Sequence, residues 1–260
     1  MIADVDSLLE VPRVEHLFLE LTSRCNLKCK YCAVSGPTYK GEDLVDFNSP
    51  QMIQSINRLG LSSIQLNGHG ETTIVEDWHR FARSLCGGRV PVVMTTNLCK
   101  QYTDEEIDVL ARFSGLSISC DTHDAKTFKT IRRGGDLRQL VYNLLRIRTS
   151  ALLQNHQAPF VAWNCVMNDR VVMDFPAYCR FAALNHVGRL VLCNLVVYPW
   201  SELHHVSDLQ GEDLRRAVAA LNDGIDYWRT LNREFVMMGG LPEQIAEAIK
   251  REGIDATLHY

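Results

Sequence analysis

The chain has 260 residues, of which 46% are hydrophobic and 22% are charged, and its formal net charge is −4 at pH 7. This length and composition are typical of one globular α/β domain, or at most of two small ones. The balance of charge gives no indication of nucleic acid or an anionic membrane as a partner, and no apolar run approaches the roughly 20 residues that span a bilayer. The acidic residues 1–6 lack the layout of a signal peptide, so we expect a cytoplasmic protein whose nine cysteines are metal ligands and core residues.

Short apolar segments rich in β-branched residues alternate with helical patterns along most of the chain. The predicted strands are residues 15–22, 63–67, 90–96, 116–120, 160–166 and 190–197. The predicted helices between them are residues 50–59, 76–85, 125–133, 137–148 and 172–183, with a further helix capped by Thr103. This alternation predicts βαβ units with right-handed crossovers and a parallel sheet. Six units are fewer than the eight of a full barrel, so we predict an α/β fold, a partial (βα)6 TIM-like barrel.

The strand pattern stops near residue 201. Two amphipathic helices are predicted over residues 214–229 and 242–251, and the sequence Met237-Met238-Gly239-Gly240 lies between them. We therefore predict a partial barrel over residues 1–200 and a helical C-terminal extension, packed on the barrel, over residues 201–260.

Three cysteines with C-x3-C-x2-C spacing, Cys25, Cys29 and Cys32, follow the first predicted strand. Three thiolates in one loop can converge on one soft metal centre. An iron–sulfur cube takes four ligands, usually cysteines, so three leave one iron open to a ligand from outside the protein. The alternatives are a zinc knuckle and three inert buried thiols, but zinc sites usually pair two such units, and no second C-x2-C or H-x3-5-H unit follows.

This loop resembles that of the radical S-adenosylmethionine (radical SAM) superfamily, and Tyr31 matches the aromatic residue before the last cysteine in that family. The resemblance implies a 4Fe-4S cluster on Cys25, Cys29 and Cys32, with the amino and carboxylate groups of SAM on the open iron and Tyr31 near the adenine. It also implies reductive cleavage of SAM to a 5′-deoxyadenosyl radical that takes a hydrogen atom from the substrate. The family's (βα)6 partial barrel agrees with the predicted strands and helices.

The second predicted strand ends in the sequence N-G-H-G-E-T at residues 67–72. Gly68, Gly70 and Glu71 resemble the family's G-x-G-E-P motif, which binds the SAM amino group, with Thr72 in place of the usual proline. Glycines let the backbone approach a ligand closely, and a carboxylate beside them can hold an ammonium group. The alternative is a glycine-rich turn with no special role.

The next two predicted strands also end in polar residues that resemble family motifs. Asn97 ends a T-T-N sequence in which Leu98 replaces the usual glycine, and it is expected to face the SAM ribose or the substrate. Ser119 begins an S-x-D ending, Ser119-Cys120-Asp121, and is expected to contact the SAM carboxylate or ribose.

Residues 127–135 resemble the y-x-x-i-R-g-G stretch of the SPASM/Twitch branch of the family. The resemblance implies that Arg132 or Arg133 pairs with the SAM carboxylate, a contact that suits guanidinium; the alternative is a solvated helix charge. Near the end of the sixth strand, Val196 and Tyr198 are expected to contact the adenine edge. No cysteine follows Cys193, so the branch's C-terminal auxiliary-cluster domain is not evident.

Three more residues near strand ends are candidates for chemistry on the substrate. Cys99 or Cys120 is a candidate to return a hydrogen atom to a substrate radical, as the thiols of radical epimerases do; the alternative is a small core residue. His123 is a candidate proton acceptor for a dehydrogenation, and the alternative is a hydrogen-bonded loop histidine.

The sequence therefore predicts a radical SAM enzyme of natural-product biosynthesis, acting on a small metabolite or a ribosomal peptide by epimerisation, dehydrogenation or bond formation. A reducing partner such as flavodoxin or ferredoxin is expected. The short segment before the first strand favours a small molecule over a peptide. The alternative from another class is a non-catalytic scaffold protein that binds zinc or an iron–sulfur cluster.

Overall fold

The computed structural model describes residues 14–260, so the acidic segment of residues 1–6 lies outside the described range. Its centre is a seven-stranded sheet in the order β1-β3-β4-β5-β7-β8-β9, in which every neighbouring pair is parallel. The strands are His16–Leu19 (β1), Lys28–Cys29 (β2), Ser63–Leu66 (β3), Val92–Thr96 (β4), Gly115–Ser119 (β5), Arg132–Arg133 (β6), Phe160–Val166 (β7), Arg189–Cys193 (β8) and Glu234–Met237 (β9). The predicted α/β partial-barrel fold is confirmed, with one parallel strand more than predicted.

Helices follow the sheet strands along the chain. They are Pro50–Arg58 (α1), Trp78–Cys86 (α2), Asp104–Leu110 (α3), Ala125–Ile131 (α4), Leu137–Leu153 (α5), Phe175–Leu184 (α6), Gly211–Thr230 (α7) and Leu241–Arg251 (α8). Two of them begin where their sequence predicts: Ser49 Oγ accepts a hydrogen bond from the N–H of Met52, and Thr103 and Glu106 form a capping box. In the described residues no helix is both long and apolar enough to cross a membrane.

Burial alternates along the strands, because successive side chains point to opposite faces of a sheet. Leu66, Met94 and Ile118 are fully buried under the helices, whereas their neighbours Gln65 and Ser117 are only half-buried. The second face is therefore not covered by helices, and we call it the uncovered face. A cavity of about 190 Å³ opens at its amino-terminal end.

The seventh strand, β9, lies between the two predicted helices of the C-terminal extension. It pairs with β8 in register from Arg189↔Glu234 to Leu192↔Met237, and Arg189 forms an ion pair with Glu234. The predicted helices correspond to α7 and α8, and this strand lies between them. The division of the chain at residue 200 stays a prediction.

Candidate active site

The three cysteines of the motif lie on the loop that follows β1, at the carboxyl end of the sheet. All nine cysteines of the chain are free thiols. Cys29 is buried, and Cys25 and Cys32 are half-buried. The backbone N–H of Leu27 donates to Cys25 Sγ at 3.4 Å. In residues 14–260 no three His, Cys, Asp or Glu side chains surround a point where one metal ion could sit.

A short antiparallel ribbon holds the middle of the cysteine loop. In this ribbon β2 pairs with β6, so that Cys29 lies opposite Arg132. The N–H of Lys30 donates to the carbonyl of Ile131 at 2.9 Å, which continues the pairing. Arg132 Nη1 lies 4.0 Å from Cys29 Sγ. The ribbon thus places a guanidinium beside the central cysteine.

Arg132 is held by Asp121, which follows the carboxyl end of β5. Arg132 Nε and Nη2 donate to the two carboxylate oxygens of Asp121 at 2.8 and 3.1 Å, and both residues are buried. Tyr31 Oη donates to the same carboxylate at 2.8 Å, and the guanidinium lies 5.4 Å from the centre of the Tyr31 ring. The N–H of Val166 also donates to Asp121, at 2.9 Å.

The electrostatics of this group follow from burial beside an opposite charge. Burial by itself would lower the pKa of Arg132, but the charges of Asp121, Tyr31 and Cys29 and the hydrogen bonds to Asp121 together hold that pKa well above its ordinary value. Burial raises the pKa of the Tyr31 hydroxyl well above its ordinary value, so Tyr31 remains a hydrogen-bond donor. Sequence reasoning assigned no role to Asp121, although Asp121 is the acidic end of the S-x-D sequence that begins at Ser119.

Asn97 connects the end of β4 to the first cysteine. Its side-chain Nδ2 donates to Asn26 Oδ1 at 2.8 Å and lies 3.9 Å from Cys25 Sγ. Its Oδ1 accepts from the N–H of Cys99 at 2.9 Å. Asn97 was predicted to face the SAM ribose or the substrate. In the structure its side chain lies against the cysteine loop.

The carboxylate of Glu71 accepts hydrogen bonds from groups within the protein. It accepts from Thr73 Oγ1 and Thr96 Oγ1, both at 2.8 Å, and from the N–H of Asn97 at 2.7 Å. Glu71 is 3% exposed. Burial raises the pKa of its carboxyl against the effect of these hydrogen bonds. Glu71 therefore joins the loop after β3 to the end of β4, and its contact with a SAM amino group stays a prediction.

Gly70 allows two backbone segments to approach closely. A Cβ atom at this position would overlap the carbonyl oxygens of Thr22 and Arg24, and the N–H of Glu71 donates to the same Arg24 carbonyl at 2.8 Å. A Cβ atom at Gly68 would overlap the side chain of Glu20. The sequence predicted that these glycines let the backbone approach a ligand. In the structure they let it approach the segment that leads into the cysteine loop.

The remaining candidates at strand ends lie in different settings. Ser119 is half-buried at the end of β5, and Arg133 is exposed, with its Nε donating to the Lys28 carbonyl at 3.1 Å. Cys99 is half-buried; its thiol lies 3.7 Å from the carbonyl of Asp136, and burial raises its pKa to about 11.

Cys120 and His123 lie toward the helices and not on the uncovered face. Cys120 is fully buried on the same side as Ile118; its thiol contacts the carbonyl of Thr122 at 3.5 Å, and burial raises its pKa. His123 lines a groove of about 420 Å³ with Leu137 of α5 and other residues of the helical layer. Their roles in catalysis stay predictions.

The prediction that the sixth strand continues to residue 197 is wrong: β8 ends at Cys193, and Val196 and Tyr198 lie after it. The two strands that flank β8, β7 and β9, both end level with its carboxyl end. The N–H of Met238 donates to the carbonyl of Leu192, and the N–H of Met167 donates to the carbonyl of Cys193. Residues 194–197 therefore have no strand to pair with in the described part of the chain. Val196 is exposed, and Tyr198 stacks on Trp200 with ring centroids 4.8 Å apart.

The chain is similar in sequence to proteins named GTP 3′,8-cyclase. No family model matches the chain. It is 24% identical over 193 residues to a GTP 3′,8-cyclase of Actinobacillus pleuropneumoniae serotype 5b, a match that covers 67% of this chain and 54% of that protein. It is 35% identical over 122 residues to a probable GTP 3′,8-cyclase of Pyrococcus horikoshii, with 45% and 38% covered. The chain thus spans about half the length, or less, of these curated relatives.

Solved structures share the fold. Streptococcus suis SuiB bound to S-adenosylmethionine matches with a TM-score of 0.66 at 16% identity, covering 87% of this chain and 51% of SuiB. Native anSMEcpe with bound AdoMet matches with a TM-score of 0.57 at 16% identity, covering 86% and 63%. The chain thus shares the fold of these two structures, and its cysteine loop and strand-end motifs resemble those of the radical SAM superfamily.

Proposed function

We propose that the chain is a radical SAM enzyme that binds a 4Fe-4S cluster through Cys25, Cys29 and Cys32 and abstracts a hydrogen atom from a biosynthetic intermediate. The observation that carries the proposal is the set of contacts that converge on the cysteine loop. The β6 strand pairs with β2 inside this loop, and Asp121 and Asn97, which hold Arg132 and Asn26, come from the carboxyl ends of β5 and β4. Catalytic sites of barrels of βα units lie at these ends.

The donor set of the loop fits the cluster. The loop offers three free thiols. The guanidinium of Arg132 beside Cys29 and the N–H that donates to Cys25 stabilise negative charge on these sulfur atoms. Burial raises the pKa of the Cys29 thiol to about 12 in the metal-free chain. As a ligand of iron, Cys29 would be deprotonated, because a coordinating thiol loses its proton. Each thiolate of a cube ligates a separate iron, so the thiols need not surround one point.

The strand ends also carry polar atoms that suit a nucleotide. Asn67 Oδ1 after β3 and Asn194 Oδ1 after β8 are buried and lack a hydrogen-bond partner among the described residues. Buried acceptors of this kind are satisfied by ordered water or by a donor that a ligand brings. With Ser119, they place hydrogen-bonding groups along three strand ends, where we propose that SAM binds.

A cluster held by Cys25, Cys29 and Cys32 would supply the electron for reductive cleavage of SAM, and the resulting 5′-deoxyadenosyl radical would take a hydrogen atom from the substrate. The chain's part is to hold both reactants in place and to exclude water. Tyr31 and Arg132 are fixed by Asp121 beside the cysteines. The high pKa of Cys99 keeps its thiol protonated at neutral pH, which a hydrogen-atom donor requires.

The substrate class is proposed from the relatives' names and from the uncovered face. The relatives named GTP 3′,8-cyclase indicate a nucleotide, whereas SuiB is known bound to its precursor peptide SuiA. The half-buried Gln65, Thr95, Ser117 and Asn164 on the uncovered face are neutral hydrogen-bonding side chains. We propose a polar small metabolite or a peptide segment that lies against this face.

Anaerobic reconstitution with iron and sulfide tests the proposal. We expect a broad visible charge-transfer absorbance that is lost in the triple variant Cys25→Ala, Cys29→Ala, Cys32→Ala and kept in Cys86→Ala, a half-buried cysteine outside the loop. With dithionite, the wild type should cleave SAM and the triple variant should not. Stoichiometric zinc without iron, or a cluster that leaves SAM intact, would favour the non-catalytic scaffold.

A further inference from the structure

Helix α5 carries large apolar side chains on its exposed side. Tyr142 is 56% exposed, Leu145 61%, Leu152 77% and Leu153 80%, and we call these four residues the outer face of α5. The opposite side of the helix, which includes Leu144, is buried in the core. A helix that is apolar on both sides is normally buried on both sides, and a contiguous exposed apolar patch marks an interaction site.

The outer face has the spacing of a helix that packs against another helix. Together with Thr149, its residues Tyr142, Leu145 and Leu152 follow one another at intervals of three, four and three residues. This alternation repeats every 3.5 residues on average, and it keeps one stripe of a helix directed at a partner helix. We therefore expect a helix to cover the outer face.

A groove lies on each side of the outer face, at opposite ends of α5. The first groove, of about 480 Å³, lies between α3 and the carboxyl-terminal half of α5 and is lined in part by Asp104 and Asp108. The second groove is the one of about 420 Å³ that His123 lines; it lies beside the amino-terminal half of α5, where its walls include Val141 and Phe181 of α6. Apolar side chains thus dominate the second groove, whereas the first contains carboxylates.

The two grooves fit a second copy of the same chain. A two-fold axis that crosses α5 at right angles near Leu145 makes the α5 helices of two copies antiparallel, so the amino-terminal half of each lies on the carboxyl-terminal half of the other. Arg148 donates to the carbonyl of His186, which follows α6, so Leu152, one turn later, lies on the α6 side. Leu152 then meets the apolar second groove of the other copy. Leu184, which is 79% exposed at the end of α6, extends this apolar contact.

The same arrangement brings opposite charges together. Arg138 and Asp108 each lie without an ion-pair partner in residues 14–260. Asp108 accepts from the hydroxyl of Ser150 at 2.6 Å, and Asp136 accepts from the N–H of Arg138 and not from its guanidinium. Arg138 lies seven residues before Leu145, and Ser150 lies five residues after it. Antiparallel pairing therefore places the guanidinium of one copy near the Asp108 carboxylate of the other.

The other charges beside the outer face have partners or opposite charges within their own chain. The three further cations are held by neighbours: Arg146 by Asp104, Arg148 by the carbonyl of His186 and Arg112 by Gln154. Asp124 and Lys126 at the start of α4 carry opposite charges. Arg138 and Asp108 are thus available to a partner.

We infer that the outer face of α5 binds the same face of a second copy of this chain, in a symmetric dimer with antiparallel α5 helices. The contact is isologous, so each fit of Leu152 into a groove and each Arg138–Asp108 pair occurs twice. Burial of the apolar side chains drives the association, and the paired charges set its direction. The inference does not depend on the proposed function, because it uses no residue of the cysteine loop.

Sedimentation velocity of the full chain over a range of protein concentrations tests the inference. We expect the wild type to form a dimer as its concentration rises, and Leu152→Glu to raise the Kd of the dimer about tenfold or more. Val45→Glu is the matched control, because both residues are 77% exposed and both substitutions add one negative charge. The control should change Kd less than about twofold. A wild type that stays monomeric, or equal Kd values for the two variants, would overturn the inference.

An exchange of charges tests the antiparallel arrangement. Arg138→Glu places a carboxylate opposite Asp108 of the other copy, so we expect a higher Kd. Arg138→Glu with Asp108→Arg restores opposite charges and should return Kd toward the wild-type value. Circular dichroism and urea unfolding establish that each variant is folded. A folded double variant that dimerises no better than Arg138→Glu alone would overturn the inference.

Discussion

Asp121 and Arg132 form a buried ion pair that joins the end of β5 to the strand opposite Cys29, with two hydrogen bonds of 2.8 and 3.1 Å. The side chain of Asp121 is 0% exposed and that of Arg132 is 6% exposed. A buried guanidinium is tolerated because a carboxylate accepts from it in bidentate geometry. The pair thus fixes a positive charge next to a cysteine that we expect to carry a cluster.

Substitution of Asp121 should be strongly destabilising. Asp121→Asn keeps the shape of the side chain but leaves the charge of Arg132 buried without its counter-ion, so we expect the free energy of unfolding to fall by about 3–5 kcal/mol. Urea unfolding of the metal-free protein measures this. Asp104→Asn is the matched control, because Asp104 pairs with Arg146 from a fully exposed position and should change stability little. Similar losses in the two variants would contradict the assigned role of the buried pair.

Substitution of Gly70 should disturb the cysteine loop without touching a cysteine. Gly70→Ala places a methyl group against the carbonyl oxygens of Thr22 and Arg24, and overpacking of this kind costs about 1–3 kcal/mol. We expect lower stability and less iron bound after reconstitution, measured by urea unfolding and iron analysis. Gly87→Ala serves as the control, since its added Cβ would have no neighbour closer than 3.9 Å. Unchanged iron content in Gly70→Ala would show that the loop tolerates the shift.

The thiol of Cys99 should react slowly at neutral pH and faster as the pH rises. Burial raises its pKa to about 11, so the reactive thiolate is scarce below that pH. We expect its rate of alkylation by iodoacetamide to rise about tenfold per pH unit between about pH 7 and pH 10. Mass spectrometry of the labelled peptide measures the rate. Cys86, whose pKa burial also raises to about 11, provides an internal comparison, and a flat profile at Cys99 would contradict the prediction.

The stability contributed by Glu106 should depend on pH. Burial would raise the pKa of its carboxyl, but hydrogen bonds from Lys100, from the N–H of Thr103 and from Trp78 outweigh burial and lower that pKa. A carboxyl with a lowered folded-state pKa contributes stability above its unfolded-state pKa and loses it as the pH falls through the folded-state pKa.

We therefore expect Glu106→Gln to reduce the free energy of unfolding by roughly 1–3 kcal/mol at neutral pH and by less as the pH approaches about 3. Urea unfolding across this range measures the difference from wild type. The exposed Glu105→Gln on the same helix turn is the control. A difference that stays constant with pH would show that Glu106 acts through packing alone.

Local patterns in the sequence were sufficient to predict those helix starts and strands that depend only on neighbouring residues. The Ser49 cap and the Thr103–Glu106 capping box are set by residues within one turn, and the structure shows both. The strand Phe160–Val166 was predicted with its observed bounds because an apolar, β-branched run is enough to indicate it. The strand Glu234–Met237 was not predicted, since four residues between two helices form a strand only where β8 offers an edge.

The sequence by itself determined the class of fold and the cysteine loop, because strand period, caps and C-x3-C-x2-C spacing are written in adjacent residues. Only the tertiary structure decided that Arg132 pairs with Asp121 and that Gly70 contacts Thr22 and Arg24. It also decided that Cys120 lies toward the helices and that β8 ends at Cys193. Each of these features depends on which distant segments come into contact. Arg132 lies 11 residues from Asp121 and Gly70 lies 48 residues from Thr22, so a local sequence pattern does not indicate either contact.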